Sequence, residues 1–286
     1  MSHARDAWLA QHPYLRPLAE LDARVETALN QVDAPPVRAP TFESYASYFV
    51  AGVPLLASTN VTIDLEPVGR AIVALIEKLA TEPLLERVAA DVRALAGELE
   101  TRAVGPRRIA GWLRGDAELA TSSPGLLRYL GWTAAAHQLR PSIEAFEHWR
   151  QEECWLRAYC PTCGSLPSMA QLSPLATAAA AGAEASRSRL LVCGQCRSRW
   201  RFKRTACPFC AHDSDRLASV AIEGEARLRI DYCESCTGYL KTYAGEGDES
   251  FFLADWTSLH LDILARDRGL ERLAASLYEL EPEPHA

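Results

Sequence analysis

The sequence predicts an α+β protein: an all-helical N-terminal domain, then two rubredoxin-like or zinc-ribbon metal modules, then a C-terminal helix. Three observations carry this. The first 150 residues contain no cysteine and space their apolar residues helically. From Tyr159 onward, short alternating segments flank four Cys-x-x-Cys pairs. Helical spacing returns from about Ala254 to Leu280. The divisions this predicts are residues 1–157, 158–206, 207–247 and 248–286.

In the N-terminal domain, Tyr14–Val32 and Phe42–Leu56 read as helical, joined by the proline-rich stretch Ala34–Pro40. Val68, Ile72, Leu75, Ile76 and Leu79 lie on one helical face, with Pro67 in the first turn. Leu85, Val88, Val92, Leu95 and Leu99 form the next helix, which Thr81 caps and Gly105-Pro106 stops. Ser123-Pro124 starts another through Leu126, Leu127, Leu130 and Leu139, ending at Pro141. A last helix runs from Ser142 through Trp149 to about Leu156. Beyond Tyr159, Leu190–Val192 is strand-like. Trp200 and Phe202 alternate with Arg199, Arg201 and Lys203, and Leu228, Ile230 and Tyr232 with Arg227, Arg229 and Asp231. The alanine-rich Leu175–Ser188 reads as a loop or short helix, Gly245-Glu246-Gly247 as a turn, and Glu281–Ala286 as a frayed tail.

A chain of 286 residues with 48% hydrophobic and 23% charged residues is ordinary for a globular protein, which excludes global disorder. Its net charge of −7 argues against non-specific binding to nucleic acid or anionic membrane. No apolar run approaches the ~20 residues of a bilayer span; Ala71–Ile76 stops at Glu77 and Lys78. The N-terminal segment carries no apolar core of a secretory signal, so a cytoplasmic protein is expected.

Eight of the nine cysteines form the pairs Cys160/Cys163, Cys193/Cys196, Cys207/Cys210 and Cys233/Cys236; Cys154 is left over. Two such turns can complete a tetrahedron of thiolates, and Gly164 can take the positive φ that a knuckle needs. These eight residues are therefore the expected ligands of two metal ions, iron or zinc, each held by four cysteines. Intervening lengths of 29, 10 and 22 residues allow sequential pairing or an interleaved cross-brace. A closed four-cysteine shell has no open position for substrate, and metal binding would add folding energy on the order of 10 kcal/mol per site.

Tyr159-Cys160-Pro161-Thr162-Cys163-Gly164-Ser165-Leu166-Pro167, Leu191-Val192-Cys193-x-x-Cys196-x-x-x-Trp200, Arg204-x-x-Cys207-x-x-Cys210 and Cys233-x-x-Cys236-x-x-Tyr239-Leu240-Lys241 resemble the formate dehydrogenase accessory protein family, FdhE. Ala254–Asp262 is similar to that family's segment after its last pair. The likeness covers Tyr159 to about Leu264, and the N-terminal half in character. Two departures stand out: Ala211 replaces a usual glycine, and the Leu175–Ser188 loop is longer. The resemblance implies sequential pairing, two rubredoxin-like modules behind a helical domain, and an association with iron. It further implies a cytoplasmic maturation factor that recognises the immature molybdenum- or tungsten-dependent catalytic subunit of a respiratory formate dehydrogenase before export by the twin-arginine pathway. It names no partner-binding residue and leaves self-association open.

Arg187, Arg189, Arg197, Arg199, Arg201, Lys203 and Arg204 form a basic stretch with no acid among them. Its first reading is compensation of the metal–thiolate charge. An acidic protein partner comes second and nucleic acid third. Glu144, His148 and Glu152 fall at i, i+4 and i+8 near Cys154, but no oxyanion donor or glycine elbow accompanies them. They read as solvated helix surface, and Cys154 as a small buried hydrophobe. The remaining histidines show no ligand spacing with each other. Phosphate-loop, dinucleotide and serine-elbow motifs are absent, so no catalytic residue and no enzyme activity is expected. Beside an assembly factor stand a rubredoxin-like redox or thiol protein and a nucleic-acid-binding zinc ribbon.

Overall fold

A computed structural model describes residues 2–35, 37–84, 86–174, 187–225 and 227–280. Its helices are α1 (Ser2–Gln11), α2 (Arg16–Leu29), α3 (Ala46–Ala51), α4 (Glu66–Thr81), α5 (Glu86–Thr101), α6 (Pro106–Arg114) and α7 (Pro124–Trp149). Strands β1 (Pro167–Pro174), β2 (Arg187–Cys193), β3 (Arg199–Phe202), β4 (Leu217–Ala221), β5 (Leu228–Cys233) and β6 (Tyr239–Tyr243) follow, then α8 (Glu249–Phe252) and α9 (Leu259–Arg266). This is the expected α+β class. The chain forms two compact units. A helical unit comprises Pro13–Ser47, Leu55–Arg150 and Leu277–Ala286, and a cysteine-bearing unit comprises Met1–His12, Tyr48–Pro54 and Gln151–Ser276.

In the helical unit α4 is the central element, packed on α2, α5, α6 and α7. Its periodic face (Val68, Ile72, Leu75, Ile76, Leu79) is fully buried, as the spacing predicts. Gly69 lets α6 cross closely, since a Cβ there would fall 2.1 Å from the Pro106 carbonyl oxygen. Several boundaries differ from the sequence expectation. Pro106 opens α6 rather than only ending α5, because at the first helical position its missing N–H has no partner to lose. Thr81 ends α4 instead of capping the next helix; Leu85 lies outside the described residues. Phe42–Leu56 is broken into a 3₁₀ turn, the short α3 and an irregular exit at Gly52, whose φ is +86°.

The largest difference is at Pro141, which lies inside α7 and does not end it. An internal proline costs roughly 3 kcal/mol. Leu139, Ile143 and Phe146 are buried on either side of it, and Ser142 Oγ donates to the Val37 carbonyl at 3.1 Å. Burying three such side chains is worth roughly 1.5–3 kcal/mol each, which outweighs the proline.

The cysteine-bearing unit is built on one six-stranded sheet of order β3-β2-β1-β6-β5-β4. Each half is an antiparallel three-stranded ribbon, and the halves join where β1 runs parallel to β6. Chain order repeats in the two halves: a Cys-x-x-Cys knuckle, two strands, a second knuckle, a third strand. Trp155 and Trp200 are fully buried, their indole N–H groups donating to the carbonyls of Tyr159 (2.9 Å) and Arg157 (3.0 Å). Helix α1, unmarked by apolar periodicity, is held by Trp8, which donates to the Thr257 carbonyl at 3.0 Å and meets Phe252 edge-on. The predicted long C-terminal helix is shorter: it ends at Arg266, where Gly269 takes φ +71° and Leu270 N–H closes onto the Ala265 carbonyl. Residues 175–186 of the alanine-rich segment and the tail 281–286 lie outside the described residues. No described helix is long and apolar enough to cross a membrane.

Candidate metal centres

Each three-stranded ribbon gathers four cysteines at one end. Cys160, Cys163, Cys193 and Cys196 form one quartet, and Cys207, Cys210, Cys233 and Cys236 the other. The grouping is therefore sequential. In each quartet the first knuckle precedes the ribbon's opening strand, and the second bridges its other two strands. All four knuckles close with the same backbone geometry. The residue after the second cysteine has positive φ: Gly164 (+83°), Arg197 (+64°), Ala211 (+62°) and Thr237 (+56°). The first cysteine's N–H donates across each turn, to Ser165 (2.8 Å), Ser198 (2.9 Å), His212 (2.8 Å) and Gly238 (3.0 Å) carbonyls. Thr162 and Phe209 N–H groups point at Cys160 and Cys207 Sγ, each at 3.4 Å.

The sulfur spacing fits a tetrahedral ion. Sγ separations are 3.4 Å for Cys160–Cys196, 3.5 Å for Cys163–Cys193, 3.7 Å for Cys207–Cys236 and 3.6 Å for Cys210–Cys233. Four sulfurs at ~2.3 Å from one centre stand ~3.8 Å apart, so either quartet could hold zinc or iron with little movement. Cys154 belongs to neither quartet. It is exposed, not buried, because the 3₁₀ turn after α7 directs it to solvent, where Sγ reaches Gln151 Oε1 at 3.5 Å.

Protonation follows from crowding. Burial drives Cys193 and Cys196 well above the ordinary thiol value. Hydrogen bonds from Cys160, Cys193 and Cys196 hold Cys163 well below it. In the second quartet, burial opposes ionisation of Cys233, but the N–H groups of Cys236 and Ser235 bring it down to about 7, while burial pushes Cys236 up to about 12. Four thiolates cannot share one small volume without a cation, so binding a divalent ion would release protons.

The two centres differ in setting. Around the first, Ser165 Oγ and Ser198 Oγ lie 3.3 Å from Cys163 and Cys196, and Thr162 and Ser198 hydroxyls pair at 2.7 Å. Beside the second, His212 Nδ1 is 3.4 Å from Cys210 Sγ, and Cys210 and Cys236 are half-buried.

The basic stretch divides. Arg189 is buried across the face of Phe202 and donates to the carbonyls of Lys203 and Ala206; burial lowers it to about 10. Arg197, Arg199, Arg201, Lys203 and Arg204 are exposed, two of them, Arg199 and Arg201, on the edge strand β3. Of the trio Glu144, His148 and Glu152, the third lies beyond the end of α7, where it accepts the Arg201 N–H at 3.0 Å. The histidines do converge where spacing gives no sign of it: His12 and His260 stack beside Glu225.

No family model matches the chain. A protein FdhE homologue of Pseudomonas putida is 30% identical over 294 aligned residues, spanning 92% of this chain and 80% of that protein. An FdhE homologue of Stutzerimonas stutzeri is 30% identical over 166 residues, 54% of this chain and 48% of the relative. The crystal structure of the FdhE protein from Pseudomonas aeruginosa matches with a TM-score of 0.61 at 25% identity, over 93% of this chain and 88% of that one.

Proposed function

Because the chain belongs to the FdhE family, we propose that it is an accessory protein for formate dehydrogenase, acting in the cytoplasm on the catalytic subunit of a respiratory enzyme before that subunit is exported. On this reading the eight paired cysteines are ligands of two metal ions, and no residue is catalytic. The observation that carries it is the pair of quartets, each with sulfurs at tetrahedral spacing and each at the end of its own ribbon. A fully thiolate-bound ion supplies rigidity, and no open position for substrate. The residues' own role is to hold a two-ribbon sheet in one shape, which suits recognition of a protein better than turnover.

The half-buried Cys210 and Cys236 favour one second reading, rubredoxin-like electron transfer through the second quartet. The two readings are separable. Deleting the gene should abolish respiratory formate oxidation while transcripts of the dehydrogenase persist, and an export-blocked catalytic subunit should accumulate. Normal formate oxidation in the deletion strain would overturn the accessory role.

A further inference from the structure

Three residues outside the cysteine quartets meet inside the cysteine-bearing unit. His12 follows α1, Glu225 lies in the β4–β5 connection, and His260 is on α9. Their side chains are 13%, 7% and 11% exposed. His12 Nε2 stands 3.8 Å from Glu225 Oε1, and His260 Nε2 contacts the same oxygen. The imidazoles stack with centroids 4.6 Å apart. Trp8 forms an apolar wall, its ring 4.1 Å from His12 and 6.0 Å from His260. Glu225 Oε2 is buried and has no hydrogen-bond partner among the described residues.

We propose that His12, Glu225 and His260 form a third metal site, for a divalent first-row transition ion such as Zn²⁺ or Co²⁺. All three donor atoms lie within 4.8 Å of one another. Two imidazoles and one carboxylate form a borderline donor set, which selects such ions over Mg²⁺ or Ca²⁺ with their preference for oxygen. Donors ~2.1 Å from a tetrahedral ion stand ~3.4 Å apart, so His12 and Glu225 are already close to ligand spacing. His260 Nε2 contacts Glu225 Oε1, and the unpartnered Oε2 offers an alternative donor on that carboxylate. Neutral imidazoles and one carboxylate carry a single negative charge, which a divalent ion over-compensates. Unlike the quartets, three protein ligands leave a coordination position for water or for a side chain of a bound partner.

The competing arrangement is a proton: an imidazolium held by Glu225 with the second ring stacked on it. The test dialyses the chain as purified against excess Co²⁺ and measures bound cobalt together with thiolate-to-cobalt charge-transfer absorption. The wild type should hold one Co²⁺ per chain that contributes no thiolate band. His260→Gln and Glu225→Gln should each lose it, by more than the ~10–100-fold that removal of a supporting hydrogen bond costs a metal site. Total metal in the quartets should stay unchanged. If His260→Gln also lost quartet metal, it would report misfolding, and the isosteric Glu225→Gln then decides. The site is disproved if the wild type takes up no thiolate-free cobalt, or if the folded variants take up as much as the wild type. This difference is readable whatever metal the quartets hold.

Discussion

Lys241 Nζ, on β6, lies 2.8 Å from Asp262 Oδ2 on α9, and Lys241 is fully buried. Asp255 Oδ1 sits 2.5 Å from the same ammonium, and Arg272 bridges the two carboxylates at 2.7 and 2.8 Å. Tyr239 donates to Asp262 at 2.7 Å, and Ser276 to Asp255 at 3.0 Å. The Tyr-Leu-Lys and Ala254–Asp262 segments of the sequence are thus the two sides of one charge network that ties α9 to β6, one of the sheet's two central strands.

That network sets an acid limit on stability. Burial alone would raise Asp255, but Lys241 and Arg272 outweigh it and hold its carboxyl well below the usual range. The unfolded chain then takes up the proton first. The carboxylate's stabilisation is complete above the unfolded value of about 4 and is lost as pH falls below it. Thermal unfolding should weaken steeply in that window. Lys241→Met should cost about 3–5 kcal/mol at neutral pH by stranding the carboxylates, and should flatten the acid limb. Parallel acid limbs in the two proteins would contradict this.

Three of the four knuckles place a non-glycine residue at positive φ, and Thr237 is β-branched. A left-handed conformation costs such residues about 1–2 kcal/mol, partly offset by the extra chain entropy of glycine. Thr237→Gly should therefore stabilise by about 0.5–1 kcal/mol in denaturant unfolding. Gly164→Ala should destabilise, since its Cβ would also meet Pro54 Cγ at 3.1 Å. A loss of stability in Thr237→Gly would show that its side chain matters more than its backbone.

The arginines should separate by burial. Arg199→Ala removes an exposed charge and should change stability by under ~1 kcal/mol. Arg189→Ala strips the buried Ala206 carbonyl and the part-buried Lys203 carbonyl of a donor and uncovers Phe202, so a cost of about 2–3 kcal/mol is expected from urea unfolding.

Sequential grouping makes the quartets separable. In Co²⁺-loaded protein, Cys160→Ser and Cys207→Ser should each weaken one tetrathiolate signature and leave the other's intensity intact. Interleaved grouping would instead couple Cys160 with Cys207, and the double variant would lose no more than either single one.

The two cysteine quartets were legible because Cys-x-x-Cys is local: the turn that aims two sulfurs is encoded in four or five adjacent residues. The helical face of α4 was legible for the same reason. What escaped depends on distant partners. Pro141 reads as a stop until Ser142 is seen bonded to Val37, and α1 shows no apolar period because it is held by two single side chains, Trp8 and Arg5, the latter over the Trp256 ring. Gly105-Pro106 ends one helix and begins the next, and the dipeptide alone marks only the end. His12, Glu225 and His260 lie too far apart in sequence for any spacing rule to join them.

The proposed accessory role requires physical contact with a formate dehydrogenase. It is tested most directly by capturing partners on the tagged full-length chain from cells expressing the dehydrogenase, with identification by mass spectrometry. Enrichment of the catalytic subunit by the wild type, reduced in a Cys160→Ser/Cys207→Ser variant, is the result expected. Recovery of nucleic acid in place of that subunit, or no enrichment of it over an untagged control, would contradict the account.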